Sequence, residues 1–305
     1  MTAHTQHVGM VGLGNMGGRI ARRIRDGGFA ISGYDADAEA AARAGIEAEQ
    51  SVASLVGRAD VVFLSLPDST VIEKVVYGDG GVASTISAGQ IVIDLSTADP
   101  SSSTRIHADL AAKGAEFLDA GISGGAAAAE KGTLAIMVGG SADALASVES
   151  VVATFAANVY PMGSSGSGHT AKLLNNFLNA ISLAATAEAM VAGRAAGLDL
   201  AMLLEVLNHS SGVNFATQNR FPRIIEGDYL EGGLTSELMA KDVRLYLDLL
   251  RQLGVTSFTG PSCLGAFDLA SALGYGKQIS NRVVDAIGDA AGGVRLQDYE
   301  RGGSE

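Results

Sequence analysis

The chain has 305 residues, more than one small core needs and enough for two domains. Hydrophobic residues make up 47% and charged residues 18%, a globular composition, and 21 basic against 33 acidic side chains leave a net charge of −12 without a basic run. Nucleic acid and anionic membrane surfaces are therefore not expected as partners, and no apolar run approaches the ~20 residues of a membrane helix.

In chain order, MTAHTQ carries no charged-then-apolar leader. An apolar run over 8–13 is expected as a strand, and it leads into Gly12-Leu13-Gly14-Asn15-Met16-Gly17. A helix is expected over 19–26 and a second strand over 30–34, followed by Asp35. A dinucleotide-binding βαβ unit needs this layout. Gly12 allows the tight turn, Gly14 the approach of backbone to a pyrophosphate, and Gly17 the close packing of helix on strand. The N–H groups opening the helix then face the phosphates. Asp35 can accept hydrogen bonds from both ribose hydroxyls and repel a 2′-phosphate, or it can cap a helix. With Ala36-Asp37-Ala38 behind it rather than arginine, NAD is expected over NADP.

Further strands are expected over 61–66, 91–95, 116–119 and 134–138, with helices such as 69–76 and 101–113 between most of them and only a Gly/Ala-rich linker between the last two. Continuous apolar strands alternating with helices imply a parallel sheet covered on both faces, in which one member of the last pair can run antiparallel. Asp119-Ala120-Gly121-Ile122-Ser123-Gly124-Gly125 ends a strand in successive N–H groups and a hydroxyl, which suits either a small-anion nest or a plain turn. Residues 162–168 are flexible in composition. The expected division is a dinucleotide-binding Rossmann-type domain over 1–165 and a helical substrate and oligomerisation domain over 166–305.

The second half reads as helix over 170–196, 200–207, 236–253 and 262–273, with Gly197 as a helix stop and a frayed polar tail over 292–305. Lys172 and Asn176 stand at i and i+4, with Asn179 at i+7, on one stripe of the first of these helices. A lysine buried there could exchange a proton with a substrate hydroxyl; an exposed one would be an ordinary surface residue. Lys241-Asp242, a cation beside an acid in an apolar helix, could face a cofactor or be an ordinary surface pair. Cys263, the single cysteine, is expected as a packing residue, and its solitude fits a cytoplasmic protein. The five histidines show no ligand spacing, so no metal is expected.

Together these segments resemble the β-hydroxyacid dehydrogenase family over about residues 7–285. The cofactor fingerprint matches at Gly12 to Gly17, and cofactor-lining strand ends match at Leu66-Pro67-Asp68 and Asp94-Leu95-Ser96-Thr97. The substrate-carboxylate motif corresponds to residues 119–125, continued by Gly132-Thr133-Leu134. The catalytic signature corresponds to residues 166–176 and Lys241-Asp242 to a pair at the cofactor edge. The resemblance implies a Rossmann-type domain, a long interdomain helix and an all-helical domain, in a homodimer or homotetramer. It also implies hydride transfer between NAD and a small β-hydroxyacid of the 3-hydroxyisobutyrate kind. Lys172 would be the acid/base, Ser123, Gly124, Gly125 and Asn176 would hold an anionic, carboxylate-bearing substrate, and Gly12 to Gly17, Asp35, Leu66, Pro67, Thr97 and Lys241 would bind the cofactor. The alternatives are an NADPH-preferring semialdehyde or imine reductase and a non-catalytic dinucleotide-binding scaffold. The chain departs from the family pattern at Gly121, Ala128, Leu234, residues 213–215 and residues 277–279, all of which bear on the pocket beyond the carboxylate.

Overall fold

A computed structural model describes residues 6–297; the first five residues and the tail from 298 onward, where most of the expected fraying falls, lie outside the described residues. The chain forms two compact units, Met1–Lys172 and Leu173–Glu305. The first is built on eight strands, β1 His7–Val11, β2 Ala30–Tyr34, β3 Glu47–Ala48, β4 Val61–Leu64, β5 Ile91–Asp94, β6 Glu116–Ser123, β7 Leu134–Gly139 and β8 Ala156–Gly163. Their spatial order is β3-β2-β1-β4-β5-β6-β7-β8. All neighbours are parallel except β6 and β7, the pair expected to contain a reversal.

The apolar runs of β4 and β5 serve two cores at once. Val61 and Phe63 join one cluster with Ile20, Ile24 and Phe155, while Val62 and Leu64 join another with Leu55, Ile72 and Phe117. This period of two is why a run with no polar position makes a stable central strand here: each face is roofed by helices. Phe63 meets Phe155 edge-on, with ring centroids 5.7 Å apart.

Strands β1, β4 and β5 stop earlier than the apolar runs suggest, at Val11, Leu64 and Asp94. These endpoints lie in one register row across the sheet: Tyr34, Val11, Leu64, Asp94, Asp119, Gly139 and Gly163. Just beyond it the chain emerges as Asp35, Gly12, Ser65-Leu66-Pro67 and Leu95-Ser96-Thr97, at the carboxyl edge where strand order reverses about β1. That is the edge at which open α/β sheets bind ligands.

Two expectations need correction. The Gly/Ala-rich stretch between β6 and β7 is a helix, Gly125–Lys131, closed by Gly132 in the left-handed region. Residues 162–163 belong to β8, an edge strand of which only Ala156 is buried, and the loop behind it is tied down by the Gly166 N–H, which donates to the Asp119 carboxylate at 2.7 Å.

The second unit is helical. The long helix Ser167–Ala195 begins at the end of the first unit and continues through it, followed by Leu200–Asn208, Phe215–Asn219, Phe221–Ile224, Ser236–Leu253, Gly260–Ala270 and Val283–Ala290. Asp199, Asn214 and Thr235 cap three of these helices through side-chain acceptors. Phe221, Met239, Phe267 and Val283 centre its core, and Phe177 stacks on Tyr246 at 4.0 Å. Cys263 is buried there and its thiol is pushed up to about 12 by desolvation, so it packs and does not react at neutral pH.

Candidate cofactor and active site

The fingerprint turn is fixed by close backbone approaches. Gly12 has φ +89°, and a Cβ on it would stand 2.2 Å from the Ser65 carbonyl oxygen. On Gly17 a Cβ would stand 2.0 Å from the Gly12 carbonyl oxygen, so only glycine lets the helix Gly17–Asp26 start against the turn. Gly14 differs: nothing lies within 4 Å of its Cβ position, leaving bare backbone beside open space. That helix has no side-chain cap at Met16 and no acid in its first turn; the Gly18 N–H is taken by the Gly14 carbonyl at 3.0 Å, and the positive end of the helix faces the turn. These features fit a dinucleotide pyrophosphate.

Asp35 is fastened to the same turn. Its Oδ2 accepts the Leu13 N–H at 2.6 Å and its Oδ1 the Asp37 N–H at 2.8 Å. These two bonds use half of its roughly four lone-pair sites. Asn15 is exposed and receives Arg19 through both its carbonyl and side-chain oxygens. The residues after β2 contain no nearby arginine in sequence, yet Arg19, Arg22 and Arg43 line a cavity of about 330 Å³ with Leu13, Gly14 and Asn15. Each already faces a carboxylate: Arg43 pairs with Asp37 at 2.5 Å, and Arg19 and Arg22 with Glu130 at 3.2 and 3.6 Å. Asp37 is held below the ordinary carboxylate range, chiefly by its bond to Arg43. A 2′-phosphate would have to compete with these carboxylates and with Asp35.

The neighbouring strand ends are joined by a buried polar network that sequence spacing did not reveal. The Leu66 N–H donates to Ser96 Oγ at 2.9 Å, and the Ser96 N–H to Asp94 Oδ1 at 3.0 Å. Asp94 Oδ2 lies 4.0 Å from Nε2 of the buried His169, whose Nδ1 is 2.7 Å from Ser103 Oγ. Burial raises the Asp94 carboxyl above its usual range, and His169 partly offsets this. Leu66, Pro67 and Thr97 are thus carried on loops whose roots are locked to each other. Pro67 is exposed, and Leu66 and Thr97 are half-buried.

Asp119, read in sequence as part of an anion nest, instead anchors the long helix. From β6 its Oδ1 accepts the Gly166 N–H at 2.7 Å and its Oδ2 the His169 N–H at 2.8 Å. Gly168 seats the helix on the sheet, since a Cβ there would stand 2.3 Å from the Asp119 carbonyl oxygen. We expect Asp119→Ala, which strands two buried donors, to lower unfolding free energy by about 2–4 kcal/mol in denaturant titration, with Asp119→Asn in between. Wild-type stability in both variants would remove the anchor role.

That anchor brings Lys172 onto β6. Lys172 is 9% exposed, and a Cβ on Gly121 would stand 2.5 Å from Lys172 Cβ and 2.9 Å from its Cγ. Gly121, where the family pattern has proline, is therefore the floor on which the lysine stem rests. Because strand side chains alternate, Ser123 faces the same side of β6 as the Gly121 position, roughly 7 Å further along. Gly124 and Gly125 follow at φ +123° and +69°, both exposed, with no side-chain cap on the helix they open.

One turn after Lys172, buried Asn176 donates from Nδ2 to Asp242 Oδ2 at 2.6 Å. Lys241 Nζ lies 3.1 Å from Asp242 Oδ1. The adjacent pair singled out in the sequence is thus joined to Asn176 across 66 residues, and Asp242 is the link between them. Among the described residues no cluster of three or more His, Cys, Asp or Glu could hold a metal, and no helix is long and apolar enough to cross a membrane.

Comparison with known proteins agrees with this layout. Residues 7–163 match the family described as the NAD binding domain of 6-phosphogluconate dehydrogenase, and residues 166–287 match that described as the NAD-binding domain of NADP-dependent 3-hydroxyisobutyrate dehydrogenase. The 2-(hydroxymethyl)glutarate dehydrogenase of Eubacterium barkeri is 31% identical over 91% of this chain and 93% of its own length. The NAD-dependent L-serine dehydrogenase of Pseudomonas aeruginosa is 34% identical over 90% and 95%. The solved Mycobacterium tuberculosis 3-hydroxyisobutyrate dehydrogenase with L-serine superposes with a TM-score of 0.86 at 27% identity, covering 93% of this chain and 99% of that one. The chain belongs to the β-hydroxyacid dehydrogenase family, NAD-dependent oxidoreductases acting on the CH–OH group of small hydroxyacids.

Proposed function

We propose that this protein reversibly oxidises a small β-hydroxyacid of the 3-hydroxyisobutyrate kind to its semialdehyde or oxoacid, with Lys172 as the proton acceptor. The observation that carries the reading is the seating of a buried lysine on Gly121, on the face of β6 that also presents Ser123. Bound NAD supplies the hydride acceptor. Gly12 to Gly17 hold its pyrophosphate, Asp35 its ribose, and Leu66, Pro67, Thr97 and Lys241 its remaining edge. Ser123 and the N–H groups of Gly124 and Gly125 hold the substrate carboxylate. Asn176, fixed by Asp242, orients the hydroxyl, and Lys172 takes the hydroxyl proton as the carbinol carbon gives up hydride. In the reverse direction the protonated lysine returns it.

The relatives' names support the substrate class, since 2-(hydroxymethyl)glutarate, L-serine, 3-hydroxyisobutyrate and L-threonate are all small carboxylates bearing a hydroxyl. We further place the protein in the cytoplasm as a homodimer or homotetramer; exposed Leu178, Met202, Val206 and Phe258 on the helical unit support self-association.

An NADPH-preferring semialdehyde or imine reductase is the second reading, and the three arginines beside the fingerprint turn are what favour it. Their carboxylate partners and Asp35 weigh against it. A panel of hydroxyacids with NAD⁺ and NADP⁺, read by nucleotide absorbance, tests both. Wild type should prefer NAD⁺, and Asp35→Ala should lower kcat/KM for NAD⁺ about tenfold or more while NADP⁺ changes less, narrowing the preference. An unchanged ratio would take the ribose role from Asp35. Dinucleotide binding without turnover on any acid would favour a non-catalytic scaffold.

A further inference from the structure

Arg220, in the turn between the helices Phe215–Asn219 and Phe221–Ile224, carries a charge that the helical unit does not balance. Its Nη1 donates to Asn281 Oδ1 at 2.7 Å and its Nη2 to Asn179 Oδ1 at 2.9 Å, while its Cζ lies 5.7 Å from the centroid of the Phe215 ring. Both acceptors are neutral amides. Among the described residues no carboxylate lies within ion-pairing distance of this guanidinium; Arg223, three residues on, is exposed and pairs with Asp228. Burial alone pulls Arg220 down to about 10, which leaves it cationic at neutral pH. A desolvated, unmatched cation is costly, and chains ordinarily pair it or place it where an anion arrives.

The cluster is pre-set for such an anion. Asn281 is 2% exposed, and its Nδ2 donates to the Tyr229 carbonyl at 2.8 Å, so the scaffold rather than the arginine decides which end of the amide faces Arg220. Two of the five guanidinium donors are used, which leaves three for an external acceptor. Asn179 stands three residues after Asn176 and seven after Lys172, on the same stripe of the long helix. No part of this cluster is used by the chemistry assigned above.

We propose that Arg220, held by Asn179 and Asn281, is a second anion subsite that receives a further carboxylate of the substrate, making the preferred substrate a dicarboxylic hydroxyacid. The proposal rests on the hydroxyacid reading given under Proposed function. The planar fork of the guanidinium suits a carboxylate bound by two parallel hydrogen bonds.

Binding of two non-oxidisable acids to the NADH complex, measured by calorimetry, tests the subsite independently of turnover. Wild type should bind glutarate at least tenfold more tightly than butyrate. Arg220→Gln should collapse that ratio toward one, and Arg220→Lys, which keeps the charge and loses the fork, should keep only part of it. Melting curves report whether each variant is folded. A wild-type ratio near one, or a ratio untouched in a folded variant, overturns the subsite. NADH formation by the wild-type enzyme from 3-hydroxyisobutyrate and from 2-(hydroxymethyl)glutarate is followed in parallel. Failure of both as substrates overturns the dehydrogenase reading, whereas the glutarate-to-butyrate ratio alone decides the role of Arg220.

Discussion

Lys172→Ala is expected to lower kcat by about 10²–10⁴-fold, the usual worth of general acid–base catalysis, while NADH affinity stays within about threefold. The prediction follows from where the lysine sits. Its stem fills the space over Gly121, so truncation to alanine also leaves a gap against β6. Lys172→Met separates the two effects: the thioether side chain covers the same strand surface without an amine. The methionine variant should melt close to wild type and lose as much kcat as the alanine variant. If kcat survives in the methionine variant, the lysine is a packing residue and the proton goes elsewhere.

The second large effect concerns the fingerprint glycines, which should divide into two kinds. Gly17→Ala drives a methyl group into the Gly12 carbonyl, a clash with backbone that no rotamer can relieve. It should cost about 1–3 kcal/mol of stability, the range for overpacking, and weaken NADH binding through a displaced helix start. Gly14→Ala meets nothing within 4 Å and has no left-handed backbone to strain. Its stability should remain within about 0.5 kcal/mol of wild type, while NADH binding falls by tenfold or more because the methyl stands where the backbone is open to the pyrophosphate. Denaturant titration and calorimetry on both variants check the contrast. Normal NADH binding by folded Gly14→Ala would show that the open face beside Gly14 is not the phosphate cradle.

Local pattern was readable wherever it determined structure. The strand over 30–34 and the helix over 236–253 fall as expected, because an apolar run before Asp35 and a Thr235 cap followed by an amphipathic stretch leave little choice. Strand β8 escaped because it lies at the sheet edge with one buried residue and a proline, so neither alternation nor an apolar run marks it. The helix Gly125–Lys131 escaped because alanines between glycines carry no polar face to show a period.

The site divided in the same way. Gly12 to Gly17 and Asp35 form a local motif, and the structure brings them together through the Leu13 N–H. The partners of Asn176 and His169, Asp242 and Ser103, each come from 66 residues away, and no spacing rule connects them. Asp119 was visible, but its work as the anchor of the long helix depends on strand register, which a single sequence does not display. Arg220 gave no signal at all: an arginine in a polar turn reads as a surface residue until its burial and its neutral partners are seen.

The most direct test of the central claim uses 3-hydroxyisobutyrate carrying deuterium on the carbinol carbon, incubated with NAD⁺ and the wild-type enzyme, with 2-(hydroxymethyl)glutarate labelled in the same position alongside. The account predicts reduced nucleotide one mass unit heavier than NADH, formed together with the semialdehyde and at a rate lowered by about 10²–10⁴-fold in Lys172→Met. Reduced nucleotide without deuterium, or none from either acid, would contradict it.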